Sequence, residues 1–387
     1  MRTKLIQFIV LLTLTAIQPV LGFSQKEKKD SNEYLFNDLI RLDATPIISQ
    51  DITGTCWSFS TTSFLESEII RLGHAPVDLS EMYNVHQIYQ EKAQNFVRRQ
   101  GRTQFGEGSL SHDVILAYKK YGAMPQSAYS GKNYDGEKYI HAELDNVLSG
   151  VVEAVVENKN KSLSTAWFPA YTSVLDSYMG AVPEKFNFDG KSYSPESFAE
   201  SLPINPDDYV TITSFTHHPF YSSFILEVPD NWSNGTYYNV PLNEFIQVID
   251  QALENGYTLA WDADVSEKTW NRKSGVALIP ATDYSDMSSE EKAKVGVELM
   301  DEKEITQEYR QELFDNYQTT DDHLMHIIGK GRDQENKPYY IVKNSWGTKA
   351  GIEGYQYVSL PYMQLKSIAV MVHKDAIPSS LKKKFNW

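Results

Sequence analysis

Apolar residues recur at helical spacing along the first part of the chain. The pattern begins at Trp57 and ends at Leu72-Gly73, so we predict a buried helix with Cys56 at its N-terminus. Ser80 is the predicted N-cap of a second helix. The same spacing predicts further helices over residues 114–121, 141–156, 242–254 and 288–319.

The last third of the chain has the shorter pattern that is typical of strands. Residues 324–328, 339–343 and 354–358 form apolar or alternating runs, and we predict a strand for each run. Residues from about 131 to 320 are mixed helical, Tyr-rich and polar. Helices that precede strands, without an internal repeat, favour an α+β protein with two lobes.

The N-terminus has the order of a secretory signal peptide. Arg2 and Lys4 precede an apolar run, and small residues follow at Gly22 and Ser24. We predict a signal peptide over residues 1–24, a charged linker over 25–33 and a globular part over 34–387. The alternative is a membrane anchor, but the apolar run is short for a bilayer span of ~20 residues. We therefore expect an exported protein, periplasmic or extracellular, without a membrane segment after signal removal.

Composition narrows the class of function. The 387 residues are 41% hydrophobic, which is enough for a large core, and 36 basic against 51 acidic residues give a net charge of −15. This balance argues against a nucleic-acid partner, because phosphate binding needs clustered Lys and Arg. Cys56 is the single cysteine, which excludes an intramolecular disulfide and a Cys-rich metal site. Cys56 is either a buried small hydrophobic residue or a reactive nucleophile.

Three separate segments carry residues suited to nucleophilic catalysis. Cys56 follows Gln50 by six residues, at a predicted helix N-terminus where partial positive charge favours the thiolate. The Gln50 side-chain amide could donate to the oxyanion of a tetrahedral intermediate. Asp322-His323 lies at the head of a predicted strand, and the neutral oxygen of Asn344 could orient the imidazole. Together these residues supply a nucleophile, an oxyanion donor, a base and an orienting group.

This set resembles the papain-like cysteine peptidases. The order Gln50, Cys56-Trp57, Asp322-His323 and Asn344-Ser345-Trp346-Gly347 matches the order in that family, and so does the interval from Gln50 to Cys56. The resemblance covers residues 34–377. It implies a papain-like two-lobed α+β fold, with a helical lobe and an antiparallel β lobe, and peptide substrates without a cofactor or metal. It also implies roles: Cys56 attacks the scissile carbonyl, His323 transfers the proton, Asn344 orients His323 and Gln50 helps to bind the oxyanion.

Two departures from the usual pattern point to one branch of that family. Position 53 is Thr, where secreted papain-type enzymes usually carry a disulfide-forming Cys, and 214 residues separate Gly108 from His323. Both features are similar to the bleomycin hydrolase or aminopeptidase C branch, which inserts a helical subdomain, here at about residues 131–320. The branch implies aminopeptidase action and homo-oligomers, often hexamers.

Two alternatives to an aminopeptidase stay open. In the branch a C-terminal arm lies in the cleft and leaves room for about one residue before the scissile bond. The segment after Ile377 is shorter than the branch's usual tail, so an endopeptidase with an open cleft is one alternative. The other is a non-catalytic peptide-binding relative, although the complete set of four site residues argues against it.

A few further residues have weaker or structural interpretations. Glu107 and Gly108 resemble the Gly-containing substrate strand of the family and are weak candidates for substrate binding. His326 is a rival to His323, but the two point to opposite faces of a strand, and His323 fits the family pattern. His217-His218 could suggest a metal pair. Adjacent residues on a strand face opposite ways, so we predict a structural role there and no metal site.

Overall fold

The computed structural model describes residues 32–160 and 162–387, so the predicted signal peptide lies outside the described residues. In chain order the helices are α1 (Cys56–Arg71), α2 (Glu81–Arg98), α3 (Ser111–Tyr121), α4 (Ala142–Val156), α5 (Trp167–Met179), α6 (Pro195–Ser201), α7 (Leu242–Glu254), α8 (Ser289–Lys294), α9 (Gln307–Asp315), α10 (Leu360–Lys366) and α11 (Ser379–Phe385). The strands are β1 (Asn37–Arg41), β2 (Phe186–Phe188), β3 (Lys191–Tyr193), β4 (Tyr209–Thr213), β5 (Ser223–Ile225), β6 (Thr236–Asn239), β7 (Leu259–Ala263), β8 (Trp270–Asn271), β9 (Val276–Ala277), β10 (His323–Arg332), β11 (Pro338–Lys343), β12 (Tyr355–Ser359) and β13 (Ser367–His373).

Helix α1 begins at Cys56, as the apolar spacing predicts. It contacts α2 and α3 on one side and β10 and β7 on the other. Because α1 is enclosed, its polar side chains are buried together with its apolar ones. The Ser60 hydroxyl, for example, donates to the main-chain oxygen of Met325 in β10 at 2.6 Å. This contact holds the start of α1 against the strand that begins with His323.

The other helices follow the predicted pattern in part. The Ser80 side chain accepts a hydrogen bond from the Tyr83 N–H and caps α2, and α7 has the predicted bounds. The prediction of one helix over residues 288–319 is wrong, because this segment forms the separate helices α8 and α9. Ser288 and Thr306 each cap one of them, and a second cap starts a new helix instead of continuing the first.

One mixed sheet carries the second lobe. Within the described part of the chain its strands lie in the order β5-β6-β4-β13-β7-β10-β11-β12-β9-β8, and β1 pairs with β10. Most neighbours are antiparallel, whereas β4 with β6 and β9 with β12 are parallel. The sequence pattern does not predict β4, β7 and β13. These strands are buried on both faces, so they lack the alternation that marks a half-exposed strand.

The sheet separates the two larger of the three apolar clusters among the described residues. Leu324 of β10 packs in the same core as Cys56, on the side of the helical lobe, whereas Met325 packs in the core on the opposite face. Asp262 of β7 stands directly opposite Leu324 in the antiparallel ladder. Paired residues in such a ladder share a face, so the Asp262 side chain points to the side of Cys56.

The interval of residues 131–320, predicted as an inserted subdomain, is not set apart from the rest of the fold. Strand β7 lies inside this interval and pairs with β10 on one edge and β13 on the other. Residues 33–387 form one compact unit. In the part of the chain that the structure describes, no helix combines the length and the apolar character needed to cross a membrane.

Candidate active site

His323 is the first residue of β10, and its ring is buried beside the residues that follow β11. Its Nε2 lies 2.8 Å from the side-chain oxygen Oδ1 of Asn344. The same oxygen accepts the N–H of Ser345 at 2.8 Å. This atom is therefore an acceptor, and the His323 Nε2 carries the hydrogen that it donates. The Nδ1 atom of His323 is then free to accept a proton.

Trp346 covers the imidazole, and Arg272 lies against Trp346. The Trp346 ring stacks on His323 with 4.7 Å between ring centroids and 24° between planes, and the Arg272 guanidinium lies 4.1 Å from the Trp346 centroid. Burial lowers the pKa of His323 to about 4; the hydrogen bond to Asn344 opposes this shift, and the Arg272 charge adds to it. The resting imidazole is therefore neutral at pH 7. The family motif predicts Trp346, whereas no sequence signal marks Arg272.

Cys56 occupies the first position of α1 and is 8% exposed. Burial raises the pKa of its thiol to about 12, a main-chain hydrogen bond from Leu324 acts in the opposite direction, and nearby carboxylates add to the rise. Burial therefore acts against the helix N-terminus, which favours the thiolate. The thiol lies beside the main chain that follows His323.

Gln50 is held by two hydrogen bonds in the loop before α1. Its Oε1 accepts the Ser345 hydroxyl at 2.5 Å, and its Nε2 donates to the Thr53 carbonyl at 2.7 Å. The Gln50 N–H also donates to the main-chain oxygen of Ser345 at 2.9 Å. One hydrogen of the Nε2 amide is left for another acceptor. The loop that carries Gln50 is thereby tied to the segment that carries Asn344.

The Gly106-Glu107-Gly108 loop packs against the start of α1. The Glu107 carboxylate accepts the N–H of Gly54, and its main-chain oxygen accepts the Trp57 indole N–H at 3.0 Å. Lys92 of α2 is 1% exposed and donates to the main-chain oxygens of Gly106, at 2.7 Å, and Gly108. The structure thus gives Glu107 a role in joining two loops. Lys92, which the sequence pattern does not mark, holds this loop in place through its hydrogen bonds to two main-chain oxygens.

Three carboxyl groups that sequence reasoning did not select act electrostatically on the thiol. Asp230, Asp262 and Asp321 each raise the pKa of Cys56, after the larger effect of burial. A Cβ placed on Gly108 would lie 2.1 Å from Oδ2 of Asp230, so the Asp230 carboxylate covers this glycine. These three residues are far apart in the sequence, and no spacing pattern could have grouped them.

His326, the rival histidine, belongs to a separate polar network. Its Nδ1 lies 2.9 Å from the Ser63 hydroxyl, and the Lys343 ammonium donates to the same hydroxyl at 2.7 Å. Ser63 lies seven residues beyond Cys56 on α1, about 10 Å along the helix axis. The structure therefore places His323, and not His326, with Asn344.

One cluster among the described residues has the ligand atoms for a metal ion. The Nε2 atoms of His217 and His218 lie 3.2 and 2.8 Å from the Glu227 carboxylate. The two histidines lie on a bend and not on a strand. The prediction that their side chains face opposite ways is therefore wrong. However, Gln311 accepts the Thr216 N–H through Oε1 and presents its Nε2 to the Nδ1 of His217 at 3.0 Å. The His217 Nε2 then carries a hydrogen, which suits a bond to Glu227 and not to a metal.

The C-terminal residues pack on the outer face of β6. Phe385 and Trp387 contact Tyr238 edge to face, with centroid separations of 5.1 and 4.5 Å. The neighbouring Tyr237 is fully buried and faces the carboxylates near Cys56. Because adjacent strand residues point to opposite faces, Phe385 and Trp387 lie on the side of β6 away from those carboxylates.

A thiol at the head of a buried helix, an imidazole at the head of a strand and an orienting amide define a papain-like cysteine peptidase. A family model described as "Peptidase C1-like family" matches residues 13–387. The chain belongs to that family. The match spans the predicted globular part, so the predicted class of enzyme is confirmed.

Known relatives and one solved structure agree with this assignment. The chain is 21% identical over 397 residues to aminopeptidase C of Streptococcus thermophilus, covering 90% of this chain and 84% of that protein. It is 23% identical over 395 residues to aminopeptidase G of Lactobacillus delbrueckii, covering 89% and 85%. The crystal structure of PepW from Lactobacillus rhamnosis superposes with a TM-score of 0.70 at 20% identity, covering 90% and 84%. The predicted papain-like α+β fold is confirmed.

Proposed function

We propose that this protein is a cysteine aminopeptidase that removes N-terminal residues from peptides through an acyl-enzyme. The observation that carries the proposal is the hydrogen bond of 2.8 Å between His323 Nε2 and Asn344 Oδ1. It fixes the tautomer in which Nδ1 can take the proton of Cys56. Relatives whose names are aminopeptidase C and aminopeptidase G support removal of N-terminal residues over internal cleavage.

The chemistry starts from a neutral pair. The pKa of the Cys56 thiol is raised to about 12 and that of His323 is lowered to about 4, both mainly by burial. On this mechanism the proton leaves the sulfur for Nδ1 of His323 at the same time as the sulfur attacks the scissile carbonyl, so no free thiolate has to form first. Asn344 holds the imidazole during this transfer, and the remaining Nε2 hydrogen of Gln50 is positioned to bind an oxyanion.

The second half of the reaction returns the enzyme to its starting state. The protonated His323 gives its proton to the leaving amine, and the amine departs as the thioester forms on Cys56. Water then attacks the thioester with His323 as general base and releases the carboxylic acid product. Trp346, stacked on the imidazole, shields the bond between His323 and Asn344 from solvent.

Hydrolysis of paired fluorogenic substrates tests the proposal. One substrate of each pair is an aminoacyl amide with a free amine, and the other carries an acetyl group on the same amine. We expect cleavage of the free amine only, and complete loss with Cys56→Ala, which keeps the fold because it removes a single atom. Equal or faster cleavage of acetylated peptides would establish an endopeptidase. Absence of Cys56-dependent cleavage of either substrate would favour a peptide-binding protein.

Localisation and assembly form separate parts of the proposal. The charged and apolar pattern of residues 1–24 supports export to the periplasm or the medium, which cell fractionation and N-terminal sequencing of the mature protein would test. The branch that the sequence resembles supports a homo-oligomer of the intact chain, which sedimentation velocity would test. A mature protein that retains Met1, or a monomer at micromolar concentration, would contradict these two parts.

A further inference from the structure

An arginine at the edge of the active site has an unused side chain. Arg272 lies in the turn between β8 and β9, and its side chain is exposed. Its guanidinium carbon lies 4.1 Å from the centre of the Trp346 ring, and Trp346 stacks on His323 with 4.7 Å between ring centroids. One aromatic ring therefore links this cation to the general base of the proposed reaction.

The turn that carries Arg272 is held on both sides. The side-chain oxygen of Asn271 accepts the N–H groups of Lys273 and Ser274, each at 3.0 Å. The main-chain oxygen of Arg272 accepts the N–H of Gly351 at 2.7 Å. Because the main chain at Arg272 is fixed in this way, less conformational entropy is lost when a ligand binds its side chain.

The guanidinium of Arg272 is suited to bind a carboxylate. No hydrogen bond or ion pair joins it to another residue in the part of the chain that the structure describes, so its five N–H donors are free. Two parallel N–H groups of a guanidinium match the two oxygens of a carboxylate. Burial is the main cause of the lowered pKa of His323, and the charge of Arg272 adds to it. An anion bound to Arg272 therefore lies within electrostatic range of the imidazole.

The chemistry of the reaction indicates which part of a substrate comes near Arg272. His323 gives its proton to the leaving amine, so the scissile nitrogen must come within about 3 Å of the imidazole. The acyl part is attached to Cys56, at the start of α1, where the loop that carries Glu107 packs. Trp346 covers the imidazole. The residues that follow the scissile bond therefore leave past Trp346, on the side of Arg272.

We propose that Arg272 binds the C-terminal α-carboxylate of short peptides and so makes the enzyme prefer dipeptides and tripeptides. This inference rests on the proposed aminopeptidase function. An aminopeptidase keeps one residue on the acyl side, so the α-carboxylate of every substrate lies on the leaving side.

The distances agree with substrates of this length. The guanidinium carbon can be no farther from the centre of the His323 imidazole than the sum of the two separations, 4.1 and 4.7 Å. An extended peptide spans about 3.5 Å per residue. The α-carboxylate of the first or second residue after the scissile bond therefore reaches Arg272, and in a longer peptide the α-carboxylate lies beyond it.

The test compares two dipeptides that differ only in the leaving carboxylate. Alanyl-phenylalanine carries this group, and alanyl-phenylalanine amide has a neutral amide in its place. Chromatography measures the phenylalanine or phenylalanine amide that is released. We expect Arg272→Gln to lower the ratio of kcat/KM for the acid to kcat/KM for the amide at least fivefold, mainly through KM. Arg272→Lys should retain part of the ratio, because it keeps the charge and loses the paired donors.

Arg332→Gln is the matched control for this experiment. It makes the same change at an exposed arginine at the other end of β10, about 30 Å from His323. A lower ratio in Arg272→Gln, with the ratio of Arg332→Gln unchanged, supports the proposal. A wild-type ratio of one or less, an unchanged ratio in Arg272→Gln, or an equal loss on both substrates overturns it.

Further substrates identify the carboxylate that is bound. Alanyl-aspartyl amide and alanyl-asparaginyl amide differ by a carboxylate on the side chain of the leaving residue. If Arg272→Gln affects this pair and not the first pair, the site takes an acidic side chain and the α-carboxylate assignment is overturned. In alanine peptides we expect the preference for the acid over the amide in dipeptides and tripeptides and its loss in pentapeptides. A preference that is independent of length would also overturn the proposal.

Binding to the inactive Cys56→Ala variant separates this inference from the proposed function. Calorimetry compares alanyl-phenylalanine with its amide, with and without the additional change Arg272→Gln. If the acid binds more tightly through Arg272 while the wild type hydrolyses no peptide or aminoacyl amide, the carboxylate site stands and the aminopeptidase function fails. If aminoacyl amides are hydrolysed and neither assay shows a preference that depends on Arg272, the carboxylate site is refuted and the aminopeptidase function stands.

Discussion

Replacement of Gln50 by Ala separates two functions of one side chain. In the structure Gln50 forms side-chain hydrogen bonds to the Ser345 hydroxyl and the Thr53 carbonyl, at 2.5 and 2.7 Å. One further hydrogen of its amide is free to bind the oxyanion of the substrate. Gln50→Ala removes all three, so it is expected to lower both stability and the rate of catalysis.

The two effects have different sizes. A typical intramolecular hydrogen bond contributes about 1 kcal/mol net to folding, so the loss of two bonds at Gln50 costs roughly 2 kcal/mol of unfolding free energy. The loss of one oxyanion donor costs about 3 to 4 kcal/mol in the transition state, which corresponds to about 10²- to 10³-fold in kcat. KM changes little, because the donor acts mainly on the charge that develops in the transition state.

Ser345→Ala is the matched control for this experiment. It removes the bond to Gln50 Oε1 but leaves the Gln50 amide held by the Thr53 carbonyl. We expect a stability loss of about 1 kcal/mol and a fall in kcat of less than about tenfold, the factor that corresponds to 1.4 kcal/mol. Urea denaturation and steady-state hydrolysis of the free-amine substrate measure the two quantities. Equal falls in kcat for both variants would refute the oxyanion role and reduce Gln50 to a loop anchor.

Three further predictions concern stability and the C-terminal segment. Burial raises the pKa of Glu302 to about 7, so stability is lost as the pH rises from about 4.5 to 7. Glu302→Gln should be more stable than the wild type by about 1 to 3 kcal/mol at pH 8, at 1.4 kcal/mol per pKa unit, and equally stable at pH 4. The same gain at both pH values in urea denaturation would contradict this prediction. Gly122 and Gly73 have similar φ values of +82° and +83°, but a Cβ on Gly122 would lie 2.3 Å from the main chain of Pro195 and one on Gly73 has nothing within 4 Å. Gly122→Ala should therefore lower the free energy of unfolding by at least ~2 kcal/mol more than Gly73→Ala. The cost of Gly73→Ala is the backbone strain of about 1 kcal/mol. Equal losses of stability in the two variants would show that the clash relaxes. Deletion of residues 385–387 should lower the melting temperature and leave the preference for the free-amine substrate unchanged, because Phe385 and Trp387 pack on Tyr238, on the side of β6 away from Asp230, Asp262 and Asp321. A new cleavage of acetylated peptides would assign the segment to the cleft.

Much of the local structure could be predicted from the chain because it depends on neighbouring residues. The start of α1 at Cys56, the Ser80 cap and the bounds of α7 follow from apolar spacing and capping chemistry. The strands that carry His323 and lead to Asn344 follow from the apolar runs over residues 324–328 and 339–343, although the first strand continues to Arg332. The sequence pattern does not predict a strand where the local alternation of apolar and polar residues is absent. β7 is buried on both faces, and without alternation it resembles a buried helix segment.

The residues of the candidate site could be predicted from the sequence, whereas their ionisation state and tautomer could not. Gln50, Cys56, His323 and Asn344 could be selected from the sequence, because thiol, imidazole and amide side chains in that order have few other uses. The ionisation state of Cys56 could not, because it depends on burial and on charges that come from other elements. The tautomer of His323 required the positions of its neighbours as well.

The sequence by itself determined which residues could carry the chemistry and which helix and strand begin with them. Only the tertiary structure decided what surrounds these residues. Asp262 points to the side of Cys56 because β7 pairs with β10, which places Asp262 opposite Leu324. The Asp230 carboxylate lies against Gly108 because a glycine has no Cβ at that place. Charges act through space at distances that sequence separation does not report, so this part of the site emerges only when the sheet has formed.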